Sequence, residues 1–252
     1  DQNGCTQSVF RTMGDIALDI TNNRLFVVGT RRVLVFDTSN LANGMNASNV
    51  LGQADFETCD SQIGAANTLS TPDGLTYDSE NNYLFVADSD YHRVTVFDLS
   101  SGITDNMDAS YAIGQADLTT TTAPASTSQT SLSAPKTVYY DTTNDRLYIY
   151  DSGHGRMIIH TFTGPSPLST GRAADNVLGS SEFNLTDGLT ADGIAVDAGN
   201  NKLYICTNGL AGSDNCKVYD VSTIDNGEAV ETQFTIRTDN GGNQQGQNSL
   251  YY

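Results

Sequence analysis

Residues 72–98 read PDGLTYDSENNYLFVADSDYHRVTVFD, and the fold is decided there. The stretch holds three apolar runs, PDGLTYD, YLFVAD and RVTVFD, rich in Val, Leu, Phe and Tyr. Between them lie SENN and SDYH, clusters whose Asn and Asp bond the nearby backbone and tolerate a positive φ. Short β-branched and aromatic runs bounded by such clusters are strands joined by tight turns. The same wording returns along the chain. The first run recurs as MGDIALD from Met13, PKTVYYD from Pro135 and ADGIAVD from Ala191. The second recurs as RLFVVG from Arg24, RLYIYD from Arg146 and KLYICT from Lys202. The third recurs as RVLVFD from Arg32, RMIIHT from Arg156 and KVYDV from Lys217. A fourth run closes each unit: VLGQADF from Val50, AIGQADL from Ala112, VLGSSEF from Val177, and a degenerate version near Val230. The closing Asp of the first run, Asp19, Asp78, Asp141 and Asp197, recurs at spacings of 59, 63 and 56 residues. Repeats of that period, each of four strands, describe propeller blades.

The sequence VLGQADF…TPDGLTYDSENNYLFVADSDYHRVTVFD resembles an NHL-repeat blade, and the likeness covers about residues 13–237. The wording is similar to that of bacterial-type extracellular NHL proteins with VLGQADF-like repeats. The resemblance implies a β-propeller, commonly of six blades. It implies function far less, since NHL propellers serve as lyases, RNA-binding domains and extracellular scaffolds. This chain departs from the family in having four repeats and long units. The expected fold is an all-β, NHL-type propeller of four four-stranded units in one domain. The blades fall at about 1–56, 57–118, 119–183 and 184–237, with a tail at 238–252.

Charge excludes whole classes of partner. Among 252 residues, 12 Lys and Arg face 30 Asp and Glu, a formal net charge of -18. Nucleic-acid binding needs a basic footprint, so the RNA-binding branch of the family is not expected here. No apolar run approaches the ~20 residues of a membrane span, so no membrane insertion is expected. The chain starts at Asp1 without a leader, which reads as a mature product or an excised segment. Four Cys without a CxxC pair, and the sequons at Asn46 and Asn184, fit an oxidising, extracellular or cell-surface location. Both Asn are glycosylation candidates.

Seven of the 12 basic residues occupy repeat-equivalent places, an architectural signature. Asp88–Arg93 and Asp151–Arg156 read as ion pairs across a hairpin, contributing ~0–1 kcal/mol if exposed. The D-x-x-N turns at Asp19, Asp78, Asp141 and Asp197 concentrate oxygen ligands of the kind Ca²⁺ uses, yet lack the Gly and distal Glu of an EF-hand. Ca²⁺ is therefore the one metal the chain hints at, and no metal, cofactor or catalytic residue is assigned. Some NHL-like propellers are amidating lyases whose His ligands hold Zn²⁺. Here His92 and His154 sit in near-equivalent hairpins and His160 within a strand, an arrangement unsuited to one central metal.

Cys206 and Cys216 bracket a hairpin turn and are expected to bridge. Cys5 and Cys59 lie in linkers that run into blades, and adjacent linkers place a second bridge between them, although four Cys allow three pairings. The tract TTTTAPASTSQTS from Thr119 has the composition of either a solvated loop or an O-glycosylated segment. The last residues, Asn248, Ser249, Leu250, Tyr251 and Tyr252, resemble the segments that lead into blades two and three. The leading expectation is a non-catalytic extracellular structural or binding propeller that self-assembles through its chain ends into a homopolymer or fibre. The alternatives are a metal-dependent lyase or hydrolase and a secreted carbohydrate or protein receptor.

Overall fold

Each repeat folds as an antiparallel meander in which neighbours in sequence are neighbours in the sheet. The computed structural model describes residues 5–61, 63–162, 167–178, 182–183, 189–207, 214–224, 226 and 231–236. Sheet one holds β1 (Met13–Asp19), β2 (Arg24–Gly29), β3 (Arg32–Asp37) and β4 (Asn49–Leu51). Sheet two holds β5 (Pro72–Asp78), β6 (Tyr83–Asp88), β7 (Arg93–Asp98) and β8 (Tyr111–Ile113). Sheet three holds β9 (Pro135–Asp141), β10 (Arg146–Asp151), β11 (Arg156–Thr161) and β12 (Asn176–Leu178). Sheet four holds β13 (Gly193–Asp197), β14 (Lys202–Thr207), β15 (Asp214–Asp220) and β16 (Thr232–Ile236). The protein is all-β, four four-stranded antiparallel sheets.

The turn between the first two strands of each sheet is built by one carboxylate. Asp19 Oδ1 accepts from the backbone N–H groups of Thr21 and Asn22, and its Oδ2 accepts from Asn22 Nδ2 at 2.9 Å. Asp78, Asp141 and Asp197 repeat the pattern with Asn81, Asn144 and Asn200. The last turn residue, Asn23, Asn82, Asp145 or Asn201, takes a positive φ of 52–59°, which Asn and Asp tolerate best among residues with a side chain. The oxygens suggestive of Ca²⁺ ligands are thus engaged by their own turns.

The fourth strands of sheets one to three are shorter than the motif suggested, only three residues each. Gly52 and Gly114 follow at φ 87° and 94° and swing the chain out of the sheet. A Cβ on Gly52 would lie 2.6 Å from the Leu69 side chain, so Gly is required there twice over. The following Gln then ties the loop down. Gln53 Nε2 donates to the carbonyls of Arg31 and Asp60, and Gln115 Nε2 to those of Tyr91 and Thr122.

The sheets pack face to face in chain order. One apolar cluster joins sheets one and two through Phe26, Val35, Leu75 and Leu84. A second joins sheets two and three through Phe85, Val96, Val138 and Leu147. A third joins sheets three and four through Tyr148, Ile159, Leu203 and Ile205. The rings of Phe85 and Tyr148 are wholly buried, as their repeat positions require. The other face of sheet one is covered differently. Phe10, Met45 and Phe56, from loops, pack over Val27, Leu34 and Phe36.

Candidate functional site

The start of each inner strand approaches a common mouth. Asp15 of β1, Asp73 and Gly74 of β5, Lys136 and Thr137 of β9, and Asp192 beside β13 line a cavity of about 430 Å³. Close backbone approach builds it: a Cβ on Gly74 would lie 2.5 Å from the Lys136 carbonyl oxygen. Asp15 Oδ2 accepts from the Leu75 N–H at 3.2 Å, and Ser89 Oγ donates to the Pro135 carbonyl at 2.6 Å, so sheets are stitched together here. The charged side chains of the mouth are Asp15, Asp73 and Asp192 against Lys136. Among the described residues, no group of three His, Cys, Asp or Glu side chains is arranged to hold a metal ion.

The three His are dispersed into separate structural duties. His92 sits at φ 53°, and its Nδ1 accepts from the Ala134 N–H at 3.1 Å. His154 Nδ1 lies 2.8 Å from Asp151 Oδ2. His160 is wholly buried in β11, and burial, aided by the Arg172 charge, pushes its pKa down to about 3. It is therefore neutral at physiological pH.

The repeat arginines form the two expected ion pairs, Arg93 with Asp88 and Arg156 with Asp151, and carry a second duty. Arg32, Arg93 and Arg156 are almost completely buried. Each uses its guanidinium to hold backbone carbonyls of the loops on either side of its sheet. Arg32 Nη1 donates to the Phe56 carbonyl at 2.5 Å, and Nη2 to those of Thr6 and Val9. Arg93 donates to the Leu118, Ala65 and Thr68 carbonyls. Arg156 donates to the carbonyls of Phe183, Ser128 and Ser131, and its Nε reaches Asp151 at 2.8 Å. One five-donor side chain thus serves three loop carbonyls at once in each of these sheets. Sequence shows the Arg repeat, but its partners are backbone atoms that no residue pattern marks.

Both disulfides are formed, Cys5 with Cys59 and Cys206 with Cys216. The first fixes residues 5–9 as the loop that Arg32 clamps. The second joins residues directly opposite in β14 and β15. Asn46 is exposed on the connection between β3 and β4. Asn184 lies outside the described residues, as do Asn248, Ser249, Leu250, Tyr251 and Tyr252. No helix among the described residues is long and apolar enough to cross a membrane.

One surface breaks the packing rule followed elsewhere. Ile16 and Leu18 of β1 are 57% and 54% exposed, and Met13 and Ile20 are more so. Their counterparts Leu75, Val138 and Tyr140 are buried, because sheets two and three each have a preceding sheet against that face. On sheet four, Tyr204 is half-buried and Ala195 exposed, whereas the equivalent Phe26, Phe85 and Tyr148 are wholly covered by the next sheet.

A scan against protein-family models finds no match, and a search of curated proteins finds none. Solved structures do share the architecture. Hydrazine synthase from Kuenenia stuttgartiensis superposes with a TM-score of 0.55 at 11% identity, over 88% of this chain and 49% of that one. A putative 6-phosphogluconolactonase from Bacteroides uniformis superposes with a TM-score of 0.51 at 15% identity, over 88% of this chain and 56% of that one. The chain thus spans about half the length of each. At such identity the likeness is one of fold, and fold alone carries no activity.

Proposed function

We propose that this chain is a non-catalytic, NHL-type propeller scaffold whose four sheets are four blades, acting outside the cell and associating with further copies of itself. The carrying observation is the uncovered apolar row of Met13, Ile16 and Leu18 on β1, continued by Ile20 just after it. Soluble proteins bury such rows, and contiguous exposed ones mark interaction surfaces. The repeat itself suggests the occupant. Every internal junction sets a Phe26-type ring against the apolar face of the next first strand. The free Tyr204 face of one copy has the same complement to offer the Ile16–Leu18 face of another. Such a head-to-tail contact is heterologous and propagates unless the rotation closes it. The propeller reading is supported by the four meanders and by the two structural likenesses. The extracellular reading is supported by the two disulfides, which persist in oxidising compartments.

Sedimentation velocity at rising concentration tests the association. The expected result is mass growing with concentration for the native chain and loss of that growth in Leu18→Asp. A chain that stays monomeric throughout, or a variant that associates as before, defeats the reading.

A further inference from the structure

Two departures from the repeat converge on one cavity between sheets two and three. The first residue of the second strand is basic in three sheets: Arg24, Arg146 and Lys202. Arg24 approaches Asp19 at 3.9 Å, and Lys202 bonds Asp220 and Glu231 at 2.8 Å. In sheet two this place is taken by Tyr83, whose register partners are Asp78 and Asp98. None of the ion pairs among the described residues involves Asp78 or Asp98. The second departure is at the preceding turn position. Asn23, Asn82 and Asn201 become Asp145 in sheet three. Tyr77 Oη donates to Asn82 at the first junction, whereas Tyr140 Oη donates to Asp145 Oδ1 at the second, also at 2.9 Å. A cation has been lost and a carboxylate gained at the same junction.

The space left is a cavity of about 240 Å³ lined by Asp78, Asp145, Tyr83, Tyr111, Tyr140 and Phe162, among others. Five aromatic residues, Tyr83, Phe85, Tyr111, Tyr140 and Phe162, line it, and Phe85 stacks on Tyr140 at 5.4 Å. Tyr83 and Tyr111 meet edge-on at 6.1 Å, and Phe162 stacks on Phe85 and Tyr140 at 6.3 and 6.2 Å. The Tyr140 hydroxyl is held well above its ordinary pKa by burial and by the charges of Asp78 and Asp145, so both acidic groups reach this spot. The nearby cation Arg172 lies over the Phe162 ring, but it is engaged with Asp175 at 2.9 Å and with the Thr161 carbonyl.

The geometry points to a binding site for a small methylated ammonium group, of the choline type, in the place where the other repeats insert their own cation. Aromatic rings supply negative quadrupoles in the lining and the two carboxylates supply net charge, the pairing that quaternary ammonium ions require. The volume is below the ~300 Å³ at which drug-sized pockets begin, so a headgroup fits better than an oligosaccharide. The site is independent of how copies of the chain associate.

Choline, its neutral isostere 3,3-dimethylbutan-1-ol and glucose are titrated separately into the full chain and followed by NMR. Choline is expected to bind at least about tenfold tighter than the isostere, the scale of a desolvated cation–π site. Equal binding of the isostere, tighter binding of glucose, or no binding of choline overturns the site. Tyr83→Arg restores the repeat residue, so the fold has a precedent for it, and it is expected to abolish choline binding. Asp145→Asn restores the repeat Asn and keeps an acceptor for Tyr140, so it removes charge alone and is expected to weaken binding severalfold. Unaltered choline affinity in Asp145→Asn overturns the proposal, and so does unaltered affinity in Tyr83→Arg.

Discussion

Arg93 and Asp88 face each other across β6 and β7, both wholly buried, with Nε and Oδ2 3.7 Å apart. That distance exceeds a hydrogen bond, so the pair is coulombic, while the strong donors of Arg93 serve the Leu118, Ala65 and Thr68 carbonyls. Arg93→Lys keeps the charge but loses the planar fork that serves the Leu118 and Thr68 carbonyls together. We expect a loss of about 2–4 kcal/mol in denaturant unfolding. A loss below about 0.5 kcal/mol, the usual surface effect, would show that the clamp is dispensable.

The same pair predicts a pH dependence. Burial is the largest influence on Asp88 and raises its pKa to about 6, against the lowering effects of Arg93 and of the Ser70 and Thr71 N–H groups. A folded-state pKa above the unfolded value means that the folded protein binds this proton more tightly. Asp88 therefore favours folding below about pH 4, and that contribution is lost as pH rises through about 6. Two pKa units correspond to on the order of 3 kcal/mol. Stability measured from pH 4 to 7 should fall less steeply in Asp88→Asn than in the native chain. An NMR titration placing Asp88 below pH 4 would reverse the sign.

The two disulfides should contribute unequally. Cys5–Cys59 spans 54 residues and Cys206–Cys216 spans 10. Loop-closure entropy then assigns about 4 kcal/mol to the first and about 3 to the second. Cys206 and Cys216 are also already paired in register by β14 and β15, whereas Cys5 precedes the first strand. Calorimetry of the two Cys→Ala double variants should rank them in that order. A larger loss from removing the short bridge would contradict the entropic account.

Strand positions and turns were readable because their causes are local. The run RLFVVG is β2 residue for residue, and TNN and SENN close through an Asp three residues upstream. The role of Arg32, Arg93 and Arg156 was not readable, since their partners are carbonyls 23–28 residues away and carry no side-chain signature. Nor could the sequence separate Leu18 from Tyr77. Both close an apolar first strand, and only packing leaves the first exposed and the second half-covered. The cavity lies between these cases. Tyr83 in an Arg position is visible in the repeats, but its meaning depends on Tyr111, Tyr140 and Phe162 arriving from three other strands or loops.

Gly74 and Gly193 hold one repeat position and should respond oppositely to substitution. A Cβ on Gly74 would lie 2.5 Å from the Lys136 oxygen and 3.1 Å from Thr137 Cα, both backbone atoms that cannot swing aside. Gly74→Ala must push sheet three away from sheet two, at a cost of about 1–3 kcal/mol. A Cβ on Gly193 meets nothing within 4 Å among the described residues. Its φ is not among the positive values, so Ala is free of backbone strain there. Gly193→Ala should leave the isolated chain unchanged or stabilise it by up to about 1 kcal/mol, through reduced freedom of the unfolded chain. If a second copy docks its β1 where a next sheet would sit, that same methyl group enters the new junction. The repeat geometry then places it as Ala at position 74 would be placed against β9. Gly193→Ala is therefore expected to preserve the melting temperature at low concentration while weakening self-association in sedimentation. Association as strong as in the native chain would place the contact elsewhere, and a destabilised monomer would mean that β13 is already covered.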